Sequence, residues 1–343
     1  EVLLKVCSLI LGFYEWICRV GNKLPMSRLV LGQPEPWKMM LYYVVLIIIL
    51  AFIYWLKRKK FQRRYHRYVW LMLVLAVGLI VYRPSGSLDI TMLDVGQGDG
   101  VYLKGPKGTT YFIDGGSSDE SSLGKYCIEP FLESQGTGIL DYVFITHGDT
   151  DHYSGIQEML ERQDVGIHIQ NIILPCNYTL DDDLLSLAKN ARNVGVTVLT
   201  IEEGKCLQEG EFTITCIQPA KEDSELIGNA GSMVLEVTYG QFSMLCTGDV
   251  EGEGEELLLK KIKGKDYDVL KVAHHGSRNS TTERFLKLCI PEIALISAGV
   301  GNSYGHPHKE LLERLEAIRC RIYNTQKNGA IMIQTDGNSL TIW

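Results

Sequence analysis

The sequence predicts an α/β protein in which two β-sheets covered by helices follow a pair of membrane-crossing helices. Three observations carry that expectation. Residues 1–84 hold 13 Lys/Arg and 3 Asp/Glu, a net of +10, whereas residues 85–343 hold 21 and 38, a net of −17, so the overall −7 joins two unlike segments. The first segment contains two long apolar runs without a charge. The second alternates short β-like runs with helical spacing, strands first in meanders and then interleaved with helices, which suits two sheets with helices on their outer faces.

In chain order, residues 1–38 come first. Glu1–Val20 ("EVLLKVCSLILGFYEWICRV") is apolar but broken by Lys5, Glu15 and Arg19. It reads as an interfacial helix or the tail of an earlier span, as expected for a piece of a longer membrane protein. Residues 39–82 hold the two spans. Met39–Leu56 has 18 residues and no charge, and Tyr68–Tyr82 has 15 and no charge. A spanning helix needs ~20 residues, and a shorter one can be accommodated by snorkelling flanks or local thinning. Trp55, Trp70, Tyr42, Tyr43, Tyr68 and Tyr82 lie near the ends, where interfacial aromatics belong. Lys57–Arg67 ("KRKKFQRRYHR") carries seven Lys/Arg and no acid. A pair of buried core helices has no use for such a loop, but a cytoplasmic loop does. The domain of residues 85–343, reached through the linker Arg83–Ser87, is then extracytoplasmic on a multi-pass chain of the cell membrane.

Within that domain, strands are expected at Leu88–Asp94, Val101–Lys104 and Thr110–Asp114, then a helix at Gly124–Gln135. A strand at Leu140–Thr146 precedes "THGDTDHYSG", and a helix follows at Gly155–Arg162. Further strands are expected at Ile169–Leu174, Val196–Leu199, Phe212–Gln218, Val234–Tyr239 and Phe242–Thr247, with a helix at Asp181–Asn193. Helices at Gly254–Lys263, Thr281–Cys289 and His308–Ala317 alternate with strands at Val269–Ala273, Ile293–Ser297, Arg321–Asn324, Ala330–Gln334 and Leu340–Trp343. The seven cysteines of the domain form no C-x-x-C pair and mostly fall in apolar runs, so they read as small core residues.

Four strand ends carry the chemistry. They are "MLDVGQGDG" (92–100), "THGDTDHYSG" (146–155), "LCTGDV" (245–250) and "LKVAHHGSRNS" (270–280). A lone Asp after a strand is usually a cap or turn residue, and a lone His is usually a hydrogen-bonded surface or core group. Two carboxylates and two imidazoles within His147–His152 would repel and desolvate badly without a cation, so a metal, most simply a pair, is expected.

"HGDTDH" (147–152), "TGD" (247–249) and "HHGS" (274–277) resemble the metal motifs of the metallo-β-lactamase superfamily. With "LDVGQGDG", "IDGG" (113–116), "VLKVAHHGS" and "GNSYGHPHKELLERL" (301–315), the chain more narrowly resembles the ComEC family of DNA-uptake competence proteins. The resemblance implies an αββα sandwich behind transmembrane helices, with the site at one edge between the sheets. It implies a membrane-tethered nuclease that degrades one DNA strand during uptake, working with other components of the uptake apparatus and with no nucleotide cofactor.

Carried over residue by residue, the resemblance assigns His147 and Asp149 to a first divalent metal, and Asp151 and His152 with either His274 or His275, His274 being favoured, to a second. Asp249 bridges them, and His275 lies close by. Where the superfamily pattern has a further histidine, this chain reads "NAGSMVLEV" (229–237), which leaves the first site open or weakly held, with Ser232 or water as substitute. Oxygen-rich ligation favours Mn²⁺ or Mg²⁺ over Zn²⁺, although Zn²⁺ remains an option. Asp151 is expected to orient the attacking hydroxide. His275 and His306 are the candidates for assisting the leaving alkoxide, and Ser277 and Asn302 for donating to phosphate. "YGHPHKE" also reads simply as a helix start, Asp94, Gln97 and Asp99 as turn braces, and Asp114 as a support for the metal loops.

A domain of −17 should repel DNA phosphates over its general surface, so nucleic acid, single-stranded by preference, must be drawn in locally by the metals or by residues such as Lys271 and Arg278. Two alternatives stand beside the nuclease: another extracellular phosphodiesterase or hydrolase of the same fold, and a non-catalytic channel scaffold.

Overall fold

The computed structural model describes residues 2–22, 29–58, 66–82, 86–222, 225–262 and 264–343. Residues 59–65 of the basic loop and 83–85 of the linker lie outside the described residues. The chain divides into two compact units, Glu1–Val81 with Glu133–Gly138, and Tyr82–Leu132 with Ile139–Trp343.

The first unit contains α1 (Val2–Asn22), α2 (Pro36–Arg58) and α3 (His66–Val81). In α2 and α3, which pack on each other, Met40, Ile47, Leu50, Trp70, Val74 and Leu75 are exposed. A helix that is apolar all round and uncovered suits lipid better than water. The stretch Pro36–Trp55 is long and apolar enough to cross a membrane. The 16 residues of α3 reach about 24 Å at 1.5 Å per residue, short of the roughly 30 Å hydrocarbon core, so α3 needs thinning or snorkelling to span.

The second unit begins with β1 (Leu88–Met92), β2 (Gly100–Lys104), β3 (Thr110–Asp114), α4 (Glu129–Ser134), β4 (Ile139–Phe144) and α5 (Thr150–Glu161). It continues through β5 (His168–Pro175), α6 (Asp182–Asn193), β6 (Thr197–Ile201), β7 (Cys206–Glu209), β8 (Phe212–Gln218), β9 (Val234–Tyr239) and β10 (Phe242–Cys246). Then come α7 (Glu253–Lys261), β11 (Val269–Lys271), α8 (Glu283–Cys289), β12 (Ile293–Ile296), α9 (Lys309–Ala317), β13 (Arg321–Asn324), α10 (Thr325–Asn328), β14 (Ile331–Thr335) and β15 (Leu340–Ile342).

These strands form an eight-stranded sheet, β15-β14-β1-β2-β3-β4-β5-β6, and a seven-stranded sheet, β13-β12-β11-β10-β9-β8-β7. The two-residue period of a strand explains the layering. Phe242, Met244 and Cys246 of β10 join Phe212, Ile214 and Cys216 of β8, and Tyr111 and Ile113 of β3, in a core between the sheets. The intervening Leu245 faces outward into a layer with Leu258 of α7, Phe285 of α8 and Leu311 of α9. Phe112 of β3 faces the other outer layer, with Ile156 and Met159 of α5 and Leu184 and Leu187 of α6. The expected αββα order of layers is therefore present. Cys289 and Cys320 are buried core residues like Cys216 and Cys246.

Three elements differ from expectation. Helix α5 begins at Thr150 with Asp149 at its N-cap, so Asp151 and His152 stand in its first turn rather than in a loop. The stretch from Gly124 starts as a wide π-type turn to Ile128 before α4. The edge strand β7, paired with β8, has only the sequence "CLQE", too short and too mixed to show an alternation.

Phe212 is fully buried between the sheets. Phe212→Ala should destabilise the second unit by about 3–5 kcal/mol, read from chemical denaturation of the purified protein.

Candidate metal centre

Loops leaving the C-terminal ends of β1, β3, β4, β10 and β11 meet at one edge of the sandwich. Glycines let three of them touch. A Cβ on Gly98 would lie 2.1 Å from the Gly116 carbonyl oxygen, and one on Gly116 would lie 2.5 Å from the Asp151–His152 peptide. Bare backbone at both positions allows the Asp99 N–H to donate to the Asp151 carbonyl at 3.1 Å, and the Gly116 N–H to donate to the Asp99 carbonyl at 3.1 Å. "GQGD" and "IDGG" are thus close-approach motifs.

At the meeting point stand Asp99, His152, Asp249 and His275, all buried, with ligand-type atoms within 4.8 Å of one another. The ring nitrogens sort this group. His152 Nδ1 lies 3.0 Å from Asp114 Oδ2, and His275 Nδ1 lies 3.1 Å from the Ser297 carbonyl. Both Nδ1 atoms are donors to these acceptors, which leaves both Nε2 atoms turned towards Asp249. His152 Nε2 is 3.2 Å and His275 Nε2 is 3.5 Å from Asp249 Oδ2, and Asp151 Oδ2 is 3.3 Å from His275 Nε2. The set linked through the two Nε2 atoms is therefore Asp151, His152, Asp249 and His275. Asp99 sits behind the rings, 3.7 Å from each Nδ1. In this set the structure has His275 where the sequence pattern suggested His274, whose Nε2 is 3.9 Å from Asp249 Oδ2.

Beside this set stands His147, with Nδ1 at 3.0 Å from Thr146 Oγ1 and Nε2 at 3.5 Å from Asp149 Oδ2. Its ring centroid is 4.1 Å from that of His152. The Asp149 side chain is 56% exposed, and the adjacent His147 imidazole holds its carboxyl below the ordinary range. Asp114 supports both histidines. It adopts φ 62° at the end of β3, accepts from the Thr146 N–H at 2.8 Å and from Thr146 Oγ1 at 3.0 Å, and meets His152 from the same side.

Two sequence-derived roles change. Lys271 is buried, with Nζ ion-paired to Asp99 and 3.0 Å from the Gly248 carbonyl, so it is a structural cation and not a surface attractant for DNA. Both amide protons of Asn302 are directed to the carbonyls of Gly299 and His306, at 2.9 and 2.6 Å, and its Oδ1 accepts from the His306 N–H, so the side chain builds its own loop and has no donor left for phosphate. Ser277 is buried, with Oγ accepting from the Asn279 N–H at 3.2 Å. His306 is nearly buried, its Nδ1 3.4 Å from Gln97 Nε2. Because Gln97 Oε1 accepts from the Gly299 N–H, the Gln97 amide is oriented as donor and the His306 proton sits on Nε2. Burial, then the neighbouring histidines, pushes this ring down to about 4, so it is a neutral donor near pH 7. The sequence signal for Asp99 and Lys271 was present, but only as a glycine-turn acid and a lone strand lysine.

Charge and burial together fit a cation. Asp99 Oδ1, His147 Nε2, His152 Nε2, Asp249 Oδ1 and His275 Nε2 are buried without a hydrogen-bond partner of acceptable geometry, five of the eight such atoms among the described residues. Each unsatisfied buried group costs about 1–3 kcal/mol, more when charged. A divalent ion bound by the histidine Nε2 atoms and the Asp249 carboxylate would remove much of that cost, and the imidazole–carboxylate set suits Zn²⁺ or Mn²⁺.

Without metal, protons do the work. Burial disfavours the His152 imidazolium, but the carboxylates of Asp249 and Asp114 outweigh it and raise its pKa well above the ordinary value. His275 is raised in the same way by Asp249 and Asp99 against burial. A metal must displace these protons, so affinity should rise with pH until it passes the raised values and level off above them. Isothermal calorimetry of Mn²⁺ binding in two buffers of different ionisation enthalpy at pH 7 should register net proton release.

Residues 93–176 match the family model of the metallo-beta-lactamase superfamily. The chain is 32% identical over 260 residues to ComE operon protein 3 of Bacillus subtilis, covering 72% of this chain and 33% of that protein. It is 30% identical over 267 residues to competence protein ComA of Neisseria gonorrhoeae, covering 76% and 35%. It is also 30% identical over 254 residues to recombination protein 2 of Haemophilus influenzae, covering 73% and 29%. The chain spans about a third of the length of these relatives. The chain thus combines the two-sheet sandwich with a segment that matches the metallo-beta-lactamase superfamily, and over about three quarters of its length it is similar to the ComE operon protein 3 (ComEC) group of competence proteins.

Proposed function

We propose that the chain is a membrane-tethered, metal-dependent phosphodiesterase that cuts DNA, degrading one strand while the other is taken up. The observation that carries the reading is the group of buried ligand atoms without hydrogen-bond partners, gathered by five loops around Asp249. Asp151, His152, Asp249 and His275 would hold one divalent ion, and His147 and Asp149 would contribute to a second that shares Asp249. When bound, such ions would lower the pKa of a water to about 7 and stabilise charge on the phosphoryl oxygens.

The chain's own residues do the rest. Asp151 is the most solvent-accessible member of the inner set, with its side chain 20% exposed, so it is placed to accept a hydrogen bond from an attacking water. Asp114 and the Ser297 carbonyl hold the His152 and His275 rings in one tautomer. With both nitrogens of His275 engaged in this way, His306, a neutral Nε2–H donor, is the remaining histidine for stabilising charge on the phosphate or the leaving oxygen. The names of the relatives, competence proteins and a recombination protein, support DNA as substrate over a small phosphoester. The net −17 of residues 85–343 argues that contact is local to the metals, which suits a flexible single strand. Residues 1–38 then form the end of a membrane domain, and residues 39–82 form two spans with their basic loop, 57–67, in the cytoplasm.

Two experiments test this. With Mn²⁺, the purified chain should cleave single-stranded DNA faster than duplex, and Asp249→Ala should reduce cleavage to background while retaining the fold by circular dichroism. A metal-loaded protein inert on every DNA but active on bis-p-nitrophenyl phosphate would point to another phosphodiesterase of the same fold. Protease added outside intact cells should remove the domain that follows residue 85. Removal only after permeabilisation would reverse the orientation.

A further inference from the structure

The loop between β12 and α9, "GVGNSYGHPH" (299–308), carries an aromatic side chain outside the metal centre. Tyr304 is 58% exposed. Its ring lies nearly parallel to that of His306, 19° apart in plane with centroids 5.6 Å apart. His306 in turn stands 6.2 Å from His275, centroid to centroid. Two ring-to-ring steps therefore lead from the inner ligand set, through the neutral donor His306, to an exposed phenol. A single exposed aromatic is common on protein surfaces and needs no explanation by itself. Here the loop around it is built to hold it still.

That rigidity comes from side chains spent on the backbone. Asn302 binds the carbonyls of Gly299 and His306, and Gln326 Nε2 donates to the same two carbonyls at 2.7 and 3.0 Å. Gly301 and Gly305 turn the chain on either side of Tyr304 with φ 71° and 76°. A tyrosine has two side-chain torsions, and a ring fixed before binding loses little freedom when something stacks on it. An exposed cation is tied to the same ridge. The Arg278 N–H donates to His308 Nδ1 at 3.2 Å, and the His308 and His306 rings are 4.9 Å apart. The Arg278 side chain is 59% exposed, with only the exposed Glu310 carboxylate near its guanidinium, at 3.8 Å. Such surface pairs are weak, so the guanidinium is free to exchange this partner for a phosphate.

We infer that Tyr304 is a base-stacking platform that positions a nucleotide of a single strand beside the metal centre. The inference rests on the nuclease reading given above and names what the site recognises besides phosphate. A domain with a net −17 over residues 85–343 cannot draw affinity from general phosphate attraction. A neutral ring supplies it without opposing charge, and every base has a face to offer, so the contact tolerates any sequence. The bases of a duplex are stacked on one another and must be extruded to reach such a ring, whereas those of a single strand are available. Tyr304 is therefore also the residue that selects single strands.

The test compares the full-length chain in detergent with Mn²⁺ on two oligomers of equal length, one of ordinary single-stranded DNA and one of stable abasic tetrahydrofuran units. On the ordinary strand Tyr304→Ala should raise KM about 5–150-fold, more than it lowers kcat, the loss expected for one stacked base. Tyr304→Leu, which keeps bulk but has no ring, should behave like the alanine variant. Tyr304→Phe and Tyr304→Trp should restore KM to within about threefold of the wild type. On the abasic strand Tyr304→Ala should change KM by less than about twofold, because no base is there to lose. A wild-type KM for Tyr304→Ala on the ordinary strand, or equal losses on both strands, would overturn the platform and leave the nuclease reading standing. A wild-type chain that cleaves neither oligomer would overturn both.

Discussion

A single carboxylate, buried to 2% exposure, sets the terms for the site. Asp249 lies at the end of β10, on a loop tightened by Gly248 at φ 51°. Burial alone would neutralise it, yet the facing His152 and His275, with Lys271, hold its carboxyl well below the ordinary range. A charge removed from water in this way is costly unless paired and hydrogen-bonded. The loops around it are a set of answers to that cost: imidazoles on one side, an ammonium on another, and room for divalent ions where hydrogen-bond geometry fails.

The same constraint explains Lys271. Its ammonium would be lowered by burial, but Asp99 and Asp249 raise it, so it stays charged between them. It ties the glycine-rich loop after β1 to the second sheet. Asp99 in turn faces the Nδ1 side of both inner histidines, although Asp114 and the Ser297 carbonyl are their nearer partners. The site is therefore held by residues from both sheets, and neither sheet contains it alone.

Electrostatics also bounds what the domain can act on. With its buried cations committed to carboxylates and a net charge of −17 over residues 85–343, the domain does not attract phosphate over its general surface. At the mouth of the site Asp149 and Asp151 are partly exposed and His306 is a neutral donor.

The sequence by itself determined the order of layers and the location of the chemistry. Alternating apolar runs such as "FTITCIQ" and "FSMLC" place one side in the inter-sheet core and the other against helices whatever the rest of the chain does, because a strand has a period of two. The ligand-type residues of 147–152, 249 and 274–275 were legible because so many acids and imidazoles at strand ends have no other economical use. The tertiary structure alone decided which of His274 and His275 faces the inner set, that Asp99 stands behind the rings, that Lys271 is buried and that Asn302 is spent on its own loop. The first three depend on contacts across 20 to more than 170 residues of sequence or on a left-handed backbone angle, whereas Asn302 is held by groups three and four residues away. No local pattern encodes the direction in which a side chain points when its φ leaves the helical and extended regions, and that direction selects the ligand.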